Sequence, residues 1–332
     1  MDDRLSALEA WLRATLAGAS LRIEPASADA SFRRYFRVFV DGDRTLIAMD
    51  APPQREDSAP FVRIAKLFRD AGLNAPEVLA QDLSQGFLLL TDLGTQSYLG
   101  ALRADNFDSL FGDATTALVR WQSATKPNVL PEYDEALLRR ELELFPDWYV
   151  QRHLGVELTH GQRATLDGIF GRILASNLAQ PRVYVHRDYM PRNLMVASPN
   201  PGILDFQDAV HGPISYDVAS LFRDAFVSWE EERVLDGTIR YWEKARRAGL
   251  PVRDDFGEFW RDVEWMGLQR HLKVLGIFAR LHYRDGKKGY LEDTPRFVAY
   301  VRHAAGRYRE LEPLGRLLDE LEDRKPDVRY TF

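Results

Sequence analysis

The sequence predicts an α+β protein with a small β-rich N-terminal lobe over residues 1–94 and a larger, mostly helical lobe over residues 95–332. Three observations carry this. Short apolar runs broken by turn residues dominate before Gly94, and apolar residues at helical spacing dominate after it. One stretch, from Arg182 to Phe206, returns to the strand-and-turn pattern inside the helical half.

The elements follow in order. Leu5, Leu8 and Leu12 recur at helical spacing and Gly18 ends the run, which predicts a first helix over residues 3–17. From Leu21 the pattern is extended: LRIE, SFRRYFRVFV and RTLIAM read as strands, the last two joined at Asp41-Gly42, a pair suited to the positive φ of a tight hairpin. Phe61, Ile64, Ala65 and Phe68 lie at i, i+3, i+4 and i+7 with Gly72 beyond them, so a helix follows the hairpin. Two more short strands are expected near Glu77 to Ala80 and Gly86 to Leu90. Beyond Gly94, helical patterns run near 97–124, 133–153 and 160–178, and again from about 215, while VYVH, LMVA and GILDF form strands and loops between them.

Composition narrows the function. With 45% hydrophobic residues the chain can bury a sizeable core, and a net charge of −6 argues against nucleic acid or an acidic membrane surface as partner. Any phosphate ligand needs a local cluster of cations. The absence of cysteine removes disulfides, thiolate metal sites and cysteine nucleophiles together. The opening MDDRLSALEAWLR is acidic where a secretory signal is basic, and no run is long and apolar enough to span a bilayer, so a cytoplasmic location is expected. Nothing in the pattern calls for an obligate protein partner.

The most informative segment is His186-Arg187-Asp188-Tyr189-Met190-Pro191-Arg192-Asn193, which fits the HRDxxxxN pattern of kinase catalytic loops. A strand precedes it, a short strand follows it, and an apolar run then ends in Asp205. Phosphoryl transfer needs a carboxylate within reach of the attacking hydroxyl and oxygen ligands that fix magnesium against the phosphates of ATP. Asp188 suits the first role, and Asn193 with Asp205 the second. A lone His or Asp would more often satisfy backbone groups in a buried turn; the ordered set argues for chemistry.

HRDYMPRN, then ILDFQDA, then GPISYDVASL resembles the aminoglycoside phosphotransferase family, which shares the bilobal protein-kinase-like fold. The resemblance implies that Asp205-Phe206 opens the magnesium segment and that Asp217 braces the catalytic loop without taking part in the chemistry. It also places a phosphate-covering loop at Ser27 to Arg37, with Ser31, Phe32 and Arg33 as candidate nucleotide contacts, and an adenine-binding hinge at Thr91 to Leu93. One departure stands out: the strand expected to carry a phosphate-pairing lysine reads TLIAMDAPP, with Met49 in that place. Another cation must serve, with Arg33, Arg34 and Arg37 nearest in sequence, or the protein is a catalytically silent nucleotide-binding scaffold.

MDAPP, QGFLLLTDLG and QRHLKVLGIFARLHYRDGK further resemble the bacterial anomeric kinases of cell-wall sugars, a subgroup that phosphorylates N-acetylmuramate and N-acetylglucosamine at C1 in peptidoglycan recycling. This implies an amino-sugar acceptor. Gln207 and Asp208, directly after the magnesium aspartate, are candidate contacts to it. Arg270 belongs to a cluster with His271 and Lys273 and is read as a contact to the lactyl carboxylate, since a guanidinium fork suits a carboxylate; the alternative is a solvated helix face, which suits Lys273 better than Arg270. A phosphotransferase for an aminoglycoside, choline or homoserine stays open as an alternative acceptor class.

Overall fold

The computed structural model describes residues 3–28 and 32–323. Its elements before the catalytic loop are α1 (Asp3–Thr15), β1 (Leu21–Ala28), β2 (Arg34–Val40), β3 (Arg44–Asp50), α2 (Ala59–Asp70), β4 (Val78–Asp82), β5 (Phe87–Thr91), α3 (Tyr98–Ala101), α4 (Phe107–Ser123), α5 (Glu135–Leu142), α6 (His160–Leu178) and β6 (Arg182–Val185). After it come β7 (Leu194–Met195), β8 (Gly202–Ile203), β9 (Val210–Pro213), α7 (Tyr216–Phe222), α8 (Glu231–Arg247), α9 (Phe256–Tyr283), α10 (Thr294–Arg307) and α11 (Glu312–Asp323). No helix among the described residues is long and apolar enough to cross a membrane.

The chain divides into two compact units that are not contiguous in sequence. The first takes the chain to Trp121 together with Pro191–Ala209; the second takes Gln122–Met190 and the chain from Val210 on. Gly94, the expected lobe boundary, lies inside the first unit.

In the first unit the strands form an antiparallel sheet of order β1-β2-β3-β5-β4. Asp41 and Gly42 both take positive φ, 51° and 99°, the left-handed turn whose twist matches the strands it joins. Side chains alternate between faces with period two. Phe36, Val38 and Val40 of β2, with Leu46 and Ala48 of β3, pack with Leu8 and Leu12 of α1. Tyr35, Arg37 and Ile47, one residue out of step, line a cavity. Gly86 is a close approach: a Cβ there would meet the Ala51 carbonyl oxygen at 1.8 Å, so Ala cannot replace it without moving backbone. α2 packs its Phe61 and Phe68 on Phe206, with centroids 4.9 and 5.3 Å apart, and Phe68 stacks on Trp121 at 3.8 Å.

The second unit is built round α9, which is buried along most of its length. Gly276 makes this possible where the chain crosses it, since a Cβ would stand 2.2 Å from the Leu144 carbonyl oxygen. The helical pattern over 133–153 resolves into α5 and a π-helical turn, Phe145–His153. Pro146, at the start of that turn, has no N–H to continue the ladder of α5. The pattern over 97–124 likewise breaks at extended Leu102. β9, which pairs antiparallel with β6, falls in AVHGP, a run too short to read as a strand.

Candidate functional site

β6 runs directly into the His-Arg-Asp triplet. The backbone N–H groups of His186 and Arg187 donate to the two oxygens of Asp217, at 2.7 and 3.0 Å. The Asp188 N–H donates to His186 Nδ1 at 3.2 Å, so that nitrogen is the acceptor and the ring proton sits on Nε2. Arg187 takes φ of 76°, a conformation costly for any residue with a Cβ, which the two bonds to Asp217 hold in place. Burial pushes the Asp217 carboxyl up to about 7 against the pull of those two N–H groups. The two bonds are of the kind that the bracing implied for Asp217 requires.

A buried ion cluster anchors the same loop from below. Arg187 Nη2 lies 2.5 Å and Lys273 Nζ 3.0 Å from the same Glu141 oxygen. Gln269 Nε2 donates to the other oxygen at 3.1 Å, and the Tyr133 hydroxyl donates to it as well. Lys273 also donates to the Tyr216 hydroxyl at 3.1 Å. Burial pulls the Glu141 carboxyl up, but the charges of Lys273 and Arg187 outweigh it and hold the group at about 2. Burial opposes the Lys273 ammonium, and Glu141 overrides it, so Lys273 stays charged with a raised pKa. The solvated-face reading of Lys273 is therefore corrected: it is 8% exposed, inside the unit, because an oppositely charged partner is buried with it.

In the first unit the cavity has a volume of about 360 Å³. Thr91, Leu93, Asn193 and Asp205 all line it, with Arg37 and Arg192. Asp205 takes φ of 63°. Its carboxylate accepts from Asn193 Nδ2 at 3.2 Å and from Gln207 Nε2 at 2.8 Å. The Leu204 N–H donates to the Asn193 carbonyl at 2.9 Å, which fixes the two segments side by side. Phe206, fully buried against α2, locks the residue after the aspartate. Carboxylate and amide oxygens are the hard donors magnesium takes, and neither thiolate nor imidazole lines the cavity among the described residues. Asp205 and Asn193 fit that ion.

The other expected residues are placed as follows. Ser31 lies outside the described residues. Phe32 is exposed, under the Arg55 guanidinium, and its N–H donates to Glu56 at 3.2 Å. Arg33 pairs with Glu56 at 3.1 Å, Arg34 with buried Asp50 at 2.5 Å on the α1 side of the sheet, and Arg37 with Asp92 at 2.7 Å. Met49 is fully buried between Tyr35 and Leu88 in the sheet register. Asp208 is exposed, whereas Gln207 is buried against Asp205. Arg270 is 2% exposed, its charge acts on Asp217 and Asp224, and its Nη1 has no hydrogen-bond partner among the described residues.

Sequence reasoning missed Glu141, Glu56, Asp92 and Asp224. Asp92 lies within the expected hinge but was given no role there; the other three belong to no motif, and only contact with a cation distant in sequence marks each. Glu231, Glu264 and His303 lie close enough to share an ion, but Arg307 already bonds both carboxylates.

The chain belongs to the phosphotransferase enzyme family: the family model matches residues 22–256, a span that holds the cavity, Asp188, Asn193 and Asp205. The N-acetylmuramate/N-acetylglucosamine kinase of Pseudomonas aeruginosa is 57% identical over 297 residues, 90% of this chain and 88% of that one. The protein of the same name from Neisseria meningitidis serogroup B is 49% identical over 330 residues, 98% of each chain. Among solved structures, a choline/ethanolamine kinase family protein from Mesorhizobium loti superposes with a TM-score of 0.63 at 18% identity, covering 96% of this chain and 99% of that one. The ADP-bound aminoglycoside phosphotransferase APH(2'')-Ib gives 0.58 at 15%, covering 90% and 98%. The fold is the α+β, protein-kinase-like one.

Proposed function

We propose that this chain is an ATP-dependent kinase of N-acetylmuramate and N-acetylglucosamine, acting at the anomeric hydroxyl. The observation that carries the reading is the 49% identity, over 98% of both chains, to a kinase of that name. The 57% identical relative bears it as well.

In this reading Asp188 accepts the proton of the attacking sugar hydroxyl. The freed oxygen forms a bond to the γ-phosphorus of ATP as the bond to the β,γ-bridging oxygen breaks, leaving ADP and a sugar phosphate. An anomeric hydroxyl is more acidic than an ordinary alcohol and asks less of its base. Asn193 and Asp205 hold magnesium, which when bound neutralises phosphate charge. Gln207 orients Asp205 through its Nε2, leaving its Oε1 to meet an acceptor hydroxyl, and Asp208 stands next to it. The Thr91 N–H is engaged with the Glu77 carbonyl at 3.0 Å, so adenine is read by the backbone that follows, through Leu93. Ser31, Phe32 and Arg33 cover the phosphates, with Glu56 bracing Arg33. Arg270 offers its unpartnered Nη1 to the lactyl carboxylate of N-acetylmuramate.

The test is ATP turnover on both sugars beside an aminoglycoside, choline and homoserine, with the product examined by phosphorus NMR. A sugar 1-phosphate is expected, and a methyl glycoside, which blocks that oxygen, should be inert. A 6-phosphate would overturn the anomeric assignment; turnover confined to choline or an aminoglycoside would overturn the acceptor class.

A further inference from the structure

Thr91 to Gly94 leave β5 along the cavity wall, and both ends of this turn are tied down. At its start the Thr91 N–H donates to the Glu77 carbonyl at 3.0 Å, and Thr91 Oγ1 accepts from the Glu77 N–H at 2.9 Å. At its end Asp92 Oδ1 accepts the Gly94 N–H at 2.9 Å, a side chain closing the turn on its own backbone. Arg37 lays its fork across both residues: Nε and Nη2 donate to the two Asp92 oxygens at 2.7 and 3.2 Å, and Nη2 donates to the Gly94 carbonyl at 3.0 Å.

The Asp92 side chain is 6% exposed and that of Arg37 19%, so the pair is shielded from water. Burial pushes the Asp92 carboxyl up, and the bonds from Arg37 and Gly94 outweigh it and keep the group ionised. Leu93 lies on the cavity wall between the two ties, and its N–H and carbonyl make no hydrogen bond among the described residues. A backbone donor and acceptor together suit the edge of adenine, which sets an amino donor at N6 beside an acceptor at N1. Hypoxanthine reverses both, with a carbonyl at C6 beside an N–H at N1. Fixed backbone groups tell the two bases apart, because the wrong edge leaves polar groups unpaired. A loose turn can rotate its peptides to meet either.

We propose that Arg37 and Asp92 are positioning residues that hold the turn so that the backbone of Leu93 meets the adenine edge, and that base affinity and base choice depend on them. This rests on the kinase reading above and assigns Arg37 to the base, its charge matched by Asp92 and not by phosphate.

Calorimetric titration of the full chain with Mg-ATP and Mg-ITP, which differ only at that edge of the base, tests it. The wild type should favour Mg-ATP. Arg37→Ala should weaken Mg-ATP by about tenfold, the range of a charged hydrogen bond, and Mg-ITP by no more than about twofold. Arg37→Lys should recover part of the loss, as a point charge without the fork. Should Arg37→Ala not fold, Asp92→Asn carries the same comparison, since it keeps an oxygen for the Gly94 N–H and removes the charge that holds Arg37; a smaller loss, again selective for Mg-ATP, is expected. Equal losses on the two nucleotides overturn the proposal, because a phosphate contact or general damage to the cavity acts on both alike. Unchanged Mg-ATP affinity overturns it too and leaves the kinase reading standing. A wild type that binds both nucleotides equally removes the adenine contact at Leu93 and this proposal with it; one that binds neither overturns the kinase reading as well.

Discussion

Glu141 on α5 and Lys273 on α9 meet 3.0 Å apart inside the second unit, and the same Glu141 oxygen takes Arg187 of the catalytic loop at 2.5 Å. One buried anion thus serves two buried cations. Glu141→Gln strands both and should cost about 3–5 kcal/mol. Lys273→Met should cost less, because Glu141 keeps Arg187, Tyr133 and Gln269. With the carboxyl held at about 2 in the fold against an ordinary 4.5, its contribution is complete above about pH 4.5 and fades as pH falls toward 2. Urea unfolding of the three proteins at neutral and acid pH checks both; equal losses in the two variants would contradict the assignment of Glu141 as the shared partner.

Asp217 carries the opposite sign. Burial raises its carboxyl to about 7 from 3.8, so between those values the folded chain holds a proton that the unfolded chain has released. Its contribution to stability is greatest below about pH 4 and declines as pH rises to about 7. The unfolding free energy of wild type minus that of Asp217→Asn should fall across this window. A difference that rises with pH would mean the carboxylate is better solvated than its burial implies.

For the proposed base, Asp188→Asn keeps the shape and removes the carboxylate that would accept the proton. Turnover should drop by orders of magnitude, with Mg-ATP affinity nearly intact. More than half the wild-type turnover in this variant would remove Asp188 from the mechanism.

For the proposed metal site, Asp205→Ala should weaken magnesium-dependent nucleotide binding, since it deletes the carboxylate that would be the anionic ligand. Gln207→Ala removes one hydrogen bond to Asp205 and should have a smaller effect of the same kind. Calorimetry at several magnesium concentrations distinguishes them, and unchanged affinity in Asp205→Ala would count against the site.

For the acceptor, Arg270→Ala should reduce the preference for N-acetylmuramate over N-acetylglucosamine, because only the former offers a carboxylate, by about 1.5–3 kcal/mol. Comparing kcat/KM on the two sugars measures it. Equal losses on both would place Arg270 in the bracing of Asp217 and Asp224 instead.

Much of the protein could be read along the chain because its determinants are local. Periodicity marks α1 and α2, Asp41-Gly42 marks the hairpin, and the HRDYMPRN run with ILDFQDA marks the family and the candidate site, since the two segments lie close in sequence. What tertiary structure alone decided is which distant charges share a low-dielectric interior. For Lys273 a solvated helix face stayed open in the sequence, yet it is buried, and Glu141, 132 positions earlier, is buried with it. Arg33, Arg34 and Arg37 read as candidate phosphate cations until Glu56, Asp50 and Asp92 are brought to them. Ion pairing depends on distance in space, through Coulomb attraction and shared desolvation. A single chain records no such distance, so these pairings became visible only in the folded structure.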